Sequence, residues 1–311
     1  MLSLIPNINI EEKPKKKYTG LSRGARITRN LTLIIPATIM GLMVIMALFA
    51  NLSWLGLPHV GLAPHDPNQG VITDKLLPPS FMAGGKSEYF LGTDRLGRDI
   101  LSRVIYGARI SLSVSLIIIF ITASIGTLLG IIAGYAGGRL EGFVMRVVDM
   151  ALSFPGLLLA MLLAVSIGPG FWTVVFALSI LGWAGYTRLI RGEAMRIRQS
   201  DFVAQARVNG ASAMRIMVRH IFPNVVNSLI VIMTLQIGMM ILAESALSYL
   251  GVGITAPTPS WGSLVADGRA ELDRAWWISA FPGICIGLVV MSGNFLGDWI
   301  RDKLDPRLRQ L

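Results

Sequence analysis

The sequence predicts an all-α integral membrane protein with six transmembrane helices and both termini on the cytoplasmic side. Three observations carry that expectation. Of 311 residues, 53% are hydrophobic and only 15% are charged, whereas a soluble domain carries about a quarter. The mean hydropathy is correspondingly high, at +0.62. Uncharged runs long enough to cross a bilayer, about 20 residues each, recur along the chain. The 28 Lys and Arg residues are also unevenly spread: 20 fall in segments assigned to the inside and eight in the two long outer loops.

The first 30 residues carry Lys13, Lys15, Lys16, Lys17, Arg23, Arg26 and Arg29 and no apolar segment. They read as a basic, flexible cytoplasmic tail. Residues 30–58 contain no charged residue or His, which places a first span at 31–53. The tail before it is too long for a usual signal peptide, so an uncleaved anchor is expected. Residues 54–105 are rich in Pro and Gly and read as an outer loop. Within it, LGRDILSRVIYGARISL suggests an amphipathic helix feeding the second span, with Arg95, Arg98 and Arg103 anchored among headgroups.

Residues 106–300 then supply five more spans. Residues 110–138 are uncharged, and Gly126, Gly130 and Gly134 repeat every four residues, a bare face suited to close helix packing. The run 150–187 is too long for one span. Gly168-Pro169-Gly170 divides it, and Pro155 kinks its first half. Trp172 opens the next span where an aromatic anchor belongs. Residues 224–250 and 275–297 complete the set, and 301–311 form a second basic tail. Arg146 with Asp149, and Asp298 with Arg301, are spaced for ion pairs along a helix.

The polar, basic stretch 191–223 stands apart. Ser200 and Asp201 are N-caps for a helix through Val208. Gly210 suits the left-handed residue that ends it, and Ser212 caps a second helix closed by Pro223. On that second helix Met214, Met217, Val218 and Ile221 form an apolar stripe, with Arg215 and Arg219 off it. This describes a helix–Gly–helix elbow under a membrane; pattern alone leaves an ordinary loop equally open.

Three strings carry a resemblance. Ala206-Arg207-x-x-Gly210-Ala211-Ser212, with His220-x-x-Pro223-Asn224 beyond, resembles the "EAA" loop of ABC-importer permeases. The run from Leu91 to Arg103, LGTDxxGRDxxSR, and the PTPSWG string ending at Gly262 are similar to the dipeptide/oligopeptide/nickel permease family. The resemblance implies a type I importer permease (MetI-like) fold. It also implies a homologous second permease subunit, two cytoplasmic ATPases and an extracytoplasmic binding protein. The elbow would then be the segment that couples to an ATPase, through Ala204, Gln205, Ala206, Arg207, Gly210, Ala211, Ser212, Arg215 and Arg219. The family's glutamate is replaced by Ala204, so the salt bridge it would make is lacking. ATP and Mg would bind the partners, and no cofactor this chain. A short peptide is the expected cargo, with nickel chelates, glutathione-like peptides and oligosaccharides as alternatives.

Other chemistry reads weakly. SFMAGGKS, Ser80 to Ser87, misses a phosphate-binding loop because Ser80 replaces its first glycine and Pro78-Pro79 stand where a strand belongs. His59, His65 and Asp66 lack a standard metal-ligand spacing. The net charge of +10 lies beside apolar runs, which points to a membrane rather than to nucleic acid. Cys285 stands alone, so no internal disulfide forms. No catalytic dyad sits inside the spans, against an intramembrane hydrolase, and no inverted repeat suggests a channel or secondary transporter. Glu244 is an acid well inside a span. It reads either as a pathway group, with Gln236 and Asn294, or as an internal polar tie to Ser245, Gln236 or Asn294.

Overall fold

The computed structural model of the chain describes residues 23–51 and 61–304. Most of the N-terminal tail, His59 and the last seven residues lie outside them. The described residues are helical apart from connecting loops and two isolated β-bridges. Four helices are long and apolar enough to cross a membrane, and five when a bent pair is counted as one span.

Helix α1 runs Arg23–Phe49, with a shorter apolar stretch at Leu33–Phe49. Residues 61–99 form an irregular segment with a single short 3-10 turn, Ile72–Asp74. The amphipathic helix expected to feed the second span is continuous with that span among the described residues. Its sequence forms the first turns of α2, Ile100–Ala136, which begins where the Asp99 carboxylate accepts the Ser102 N–H. At 37 residues, α2 is about 55 Å long.

Next comes the bent pair, α3 (Gly138–Ser153) and α4 (Gly156–Ile167), meeting at 81°. Pro155 sits at the break, so the expected kink is a full interruption of the span. Helix α5 (Phe171–Arg198) follows the Gly168-Pro169-Gly170 turn. It packs along α2 in the closest helix pairing of the fold, and the glycine face explains why. A Cβ at Gly130 would stand 2.9 Å from the Ile190 Cβ, and one at Gly134 would stand 2.7 Å from the Arg191 carbonyl oxygen. Only hydrogen fits there, so the two backbones meet directly.

The elbow follows: α6 (Asp201–Val208), then α7 (Ala213–Ile216). One π turn, Met217–Ile221, joins α7 to α8 (Phe222–Tyr249), so the second elbow helix does not stop at Pro223. Proline is tolerated there because it occupies the first turn after the π segment. Helices α9 (Trp261–Gly268) and α10 (Trp277–Leu304) complete the chain.

Burial is uneven among the spans. In the most apolar window of α5, 56% is buried, against 17% in the span Ala213–Tyr249. Two expected ion pairs are also replaced. Asp149 pairs with Arg188 of α5 rather than with Arg146, because α3 lies against α5. Asp298 and Arg301 are exposed and form no ion pair with each other.

Candidate functional site

The elbow lies at the far end of α2 and α5. Ser200 stands just before α6, and the helix ends at Val208. Gly210 has φ +76°, the left-handed region where a side chain is strained. Ser212 then caps α7, its Oγ accepting the Arg215 N–H at 3.3 Å. One side of the elbow is fastened to the bundle. Val203, Ile216, Ile221 and Val225 are fully or almost fully buried against Ile131 of α2 and Ile190, Ala194 and Ile197 of α5.

The buried residues differ from the expected stripe. Met214 and Val218 are exposed, while Ile216 and Ile221, five apart, are buried. The π turn accounts for this: its extra residue per turn shifts the helical phase so that i and i+5 share a face. Ala204, Gln205, Arg207, Gly210, Ser212, Arg215 and Arg219 are all exposed, and Ala206 and Ala211 are half-buried. The structure therefore brings these residues together as one open surface.

Beside it lies a groove of about 510 Å³ lined by Met195, Arg198, Gln199, Ala204 and Arg207. Tyr135, at the end of α2, carries both guanidiniums over its ring, with Arg207 at 5.6 Å and Arg198 at 6.0 Å from the centroid. Sequence reading singled out neither Tyr135 nor Arg198. The pairing joins positions some 60 residues apart on different helices and leaves no local signal.

The opposite end of α2 carries a different construction. Asp94 is 3% exposed and Arg103 1%. Asp94 Oδ2 accepts from Arg98 Nε and from Arg103 NH1, each at 2.7 Å. Arg103 NH2 reaches Asp267 Oδ2, beyond the fifth span, at 3.2 Å. Arg98 and Arg103 are thus not headgroup anchors but members of a buried ion cluster; only Arg95 is exposed. Trp277 Nε1 donates to the Thr93 carbonyl at 3.2 Å, and Trp261 Nε1 to the Val104 carbonyl at 3.0 Å. His65 stacks near Tyr89 and hands its backbone N–H to Ser102 Oγ at 2.9 Å.

Glu244 adjoins this end and is fully buried. Ser111 Oγ donates to its Oε2 at 3.0 Å and Ser248 Oγ to its Oε1 at 2.8 Å. Those hydroxyls in turn accept the backbone N–H groups of Trp261 and Ile254. The hydrogen bonds of Glu244 do not reach Gln236, which is half-buried, or Asn294, which is exposed.

Residues 126–310 match the family described as the binding-protein-dependent transport system inner membrane component. This chain belongs to that family. It is 41% identical, over 80% of its length and 82% of the relative's, to the di/tripeptide transport system permease protein DppC of Pseudomonas aeruginosa. It is 39% identical to the probable D,D-dipeptide transport system permease protein DdpC of Escherichia coli K12, over 94% of this chain and 91% of that one. It is 38% identical to the glutathione transport system permease protein GsiD of Escherichia coli O6:K15:H31, over 91% and 89%. The chain is thus a transport permease component that passes a membrane several times, and its match to the family includes the whole elbow.

Proposed function

We propose that this chain is one of two permease subunits of an ATP-driven importer for short peptides, in the plasma membrane of a bacterium or archaeon. The observation that carries the reading is the elbow. A family permease presents there an exposed surface of basic, polar and apolar side chains, Arg207, Arg215, Val208 and Met214 among them, fixed to α2 and α5 by a buried apolar side. Such a surface suits docking by a soluble ATPase, which would hold the ATP and Mg. The named relatives support the peptide cargo. The glutathione relatives favour glutathione-like tripeptides as a second reading.

In this reading α1, α2, the bent α3–α4 pair, α5, α8 and α10 are six spans of a type I (MetI-like) permease with both termini cytoplasmic. The little-buried span ending at Tyr249 meets the second permease subunit, and with it encloses the pathway. Gln236 and Asn294 lie on the pathway side, and Glu244 serves as the internal tie behind it. An extracytoplasmic binding protein delivers the peptide. ATP binding closes the ATPase pair, the elbow carries that movement inward, and the spans alternate access. The shift must come from contacts that differ between the two ATPase states.

The test is uptake by proteoliposomes holding the whole complex. Labelled di- and tripeptides should enter only with ATP and a binding protein, and glutathione should compete if the second reading holds. For orientation, Lys86→Cys should react with an impermeant thiol reagent added outside intact cells, and Arg215→Cys should not. The reverse labelling would invert the topology.

A further inference from the structure

We infer that the groove between α5 and α6 receives an acidic side chain of the partner ATPase. The inference rests on the docking reading above and names the chemistry of the contact. Arg198 and Arg207 border one groove and stack on one ring. The nearby acids are already engaged: Glu141 holds Arg191, and Glu193 holds Arg196 at 2.6 Å. Among the described residues neither Arg198 nor Arg207 has a carboxylate partner. Two guanidiniums bordering one groove, neither in an ion pair, attract an anion.

Two features favour a protein carboxylate. The groove is built partly from the elbow itself, through Ala204 and Arg207, so whatever docks on the elbow also covers the groove. Position 204 contributes only a methyl group, which leaves the space beside Arg207 open. A glutamate there would lie three residues before Arg207 on the same helix face and could pair with it internally. The stacking on Tyr135 holds the guanidiniums in place, which reduces the ordering cost of binding a carboxylate.

The experiment uses the assembled complex in lipid nanodiscs and measures ATPase affinity for the permease pair. Three variants are compared with wild type: Arg207→Glu, the double Arg198→Gln/Arg207→Gln, and Gly210→Val as a probe of the elbow alone. Co-purification of the second permease subunit confirms that each variant is assembled. Arg207→Glu and the double variant should each weaken docking roughly tenfold. Wild-type docking should weaken with added salt, and the double variant should lose most of that dependence. Unchanged or tighter docking in Arg207→Glu overturns the inference, because a carboxylate placed there repels an incoming one. If both groove variants dock normally and only Gly210→Val fails, the elbow reading stands and the groove falls. If none of the three changes docking, the elbow reading itself falls. A defect seen only with anionic lipid and absent in zwitterionic nanodiscs assigns the groove to a lipid headgroup and overturns the carboxylate.

Discussion

The two ends of α2 treat charge in opposite ways. Near Ile100 the arginines are buried and bound: Arg103 is held by Asp94 and Asp267. Near Ala136 Arg207 is exposed and Arg198 half-buried: both lie over Tyr135, and among the described residues neither forms an ion pair. A buried guanidinium without a counter-charge would cost several kcal/mol, and here the charges are paired within this chain, although Arg103 Nε itself has no hydrogen-bond partner. Exposed guanidiniums cost little in water, so the second end is stable while it waits for a partner. One end is thus an ion-paired joint and the other, in the function proposed above, a docking surface, and variants can test that difference directly.

The largest effect is expected at the joint. Asp94→Ala leaves Arg98 and Arg103 buried without their shared carboxylate. Loss of one partner of a buried pair costs about 3–5 kcal/mol. The variant should melt well below wild type in detergent and yield little assembled complex. A melting temperature within a degree of wild type would show that water reaches the cluster and that the joint is not closed. Arg207→Gln at the other end should leave the melting temperature of the permease unchanged.

Glu244 gives the next effect. Its carboxylate links α2 to the end of α8 through Ser111 and Ser248, and through them to the backbone at Trp261 and Ile254. Glu244→Ala leaves two buried hydroxyls short of a partner, at about 1–3 kcal/mol. Thermal stability and transport should fall together. Transport lost at full stability would instead make Glu244 a pathway group. Glu244→Gln keeps the acceptor oxygen and should recover most of the stability.

Gly210→Val acts at the docking end. Its φ of +76° is strained for a β-branched residue, at about 1–3 kcal/mol. No neighbour stands within 4 Å of a Cβ there, so the strain is in the backbone alone. The bundle should stay folded while ATPase docking and peptide uptake fall about tenfold. Normal ATP-coupled uptake in this variant would remove the elbow from the power stroke.

What the sequence made legible follows from how local each signal is. The bounds of α6 were readable from Ser200, Asp201 and Gly210, because they are decided by neighbours; the expected cap bond is not made, since Ser200 Oγ donates to the Ile197 carbonyl instead. The packing of α2 on α5 was readable from three glycines at one spacing. The phase of the second elbow helix was not, since the π turn adds a residue that no propensity marks. One partner each of Arg103 and Glu244, Asp267 and Ser111, lies 164 and 133 residues away, so their sequence neighbourhood suggests anchoring in one case and leaves two roles open in the other. The charge-bearing string from Asp94 to Arg103 drew attention for its resemblance. Its four-residue spacing from Asp94 to Arg98 was a usable sign of pairing, but Asp267 carried none.

The smallest effect is expected from an ion pair in the same segment as the joint. Lys86 donates to Asp74 on the surface, and that hydrogen bond holds the Lys86 ammonium above its ordinary value of 10.5. A raised lysine contributes its stability in full below the unfolded value and loses it as pH climbs through the folded one. The contribution is therefore constant across neutral pH and fades only in strong alkali. Half of the Lys86 side chain is exposed, and water and salt screen such a pair. Lys86→Gln should leave melting temperature and uptake unchanged from pH 6 to 8, and added salt should alter neither. Lys86→Gln and Asp94→Ala remove one charge each from the same loop. If they destabilise equally, burial is not what separates the joint from an ordinary surface pair. If only Asp94→Ala matters, the contrast between the two ends of α2 is a contrast in desolvation.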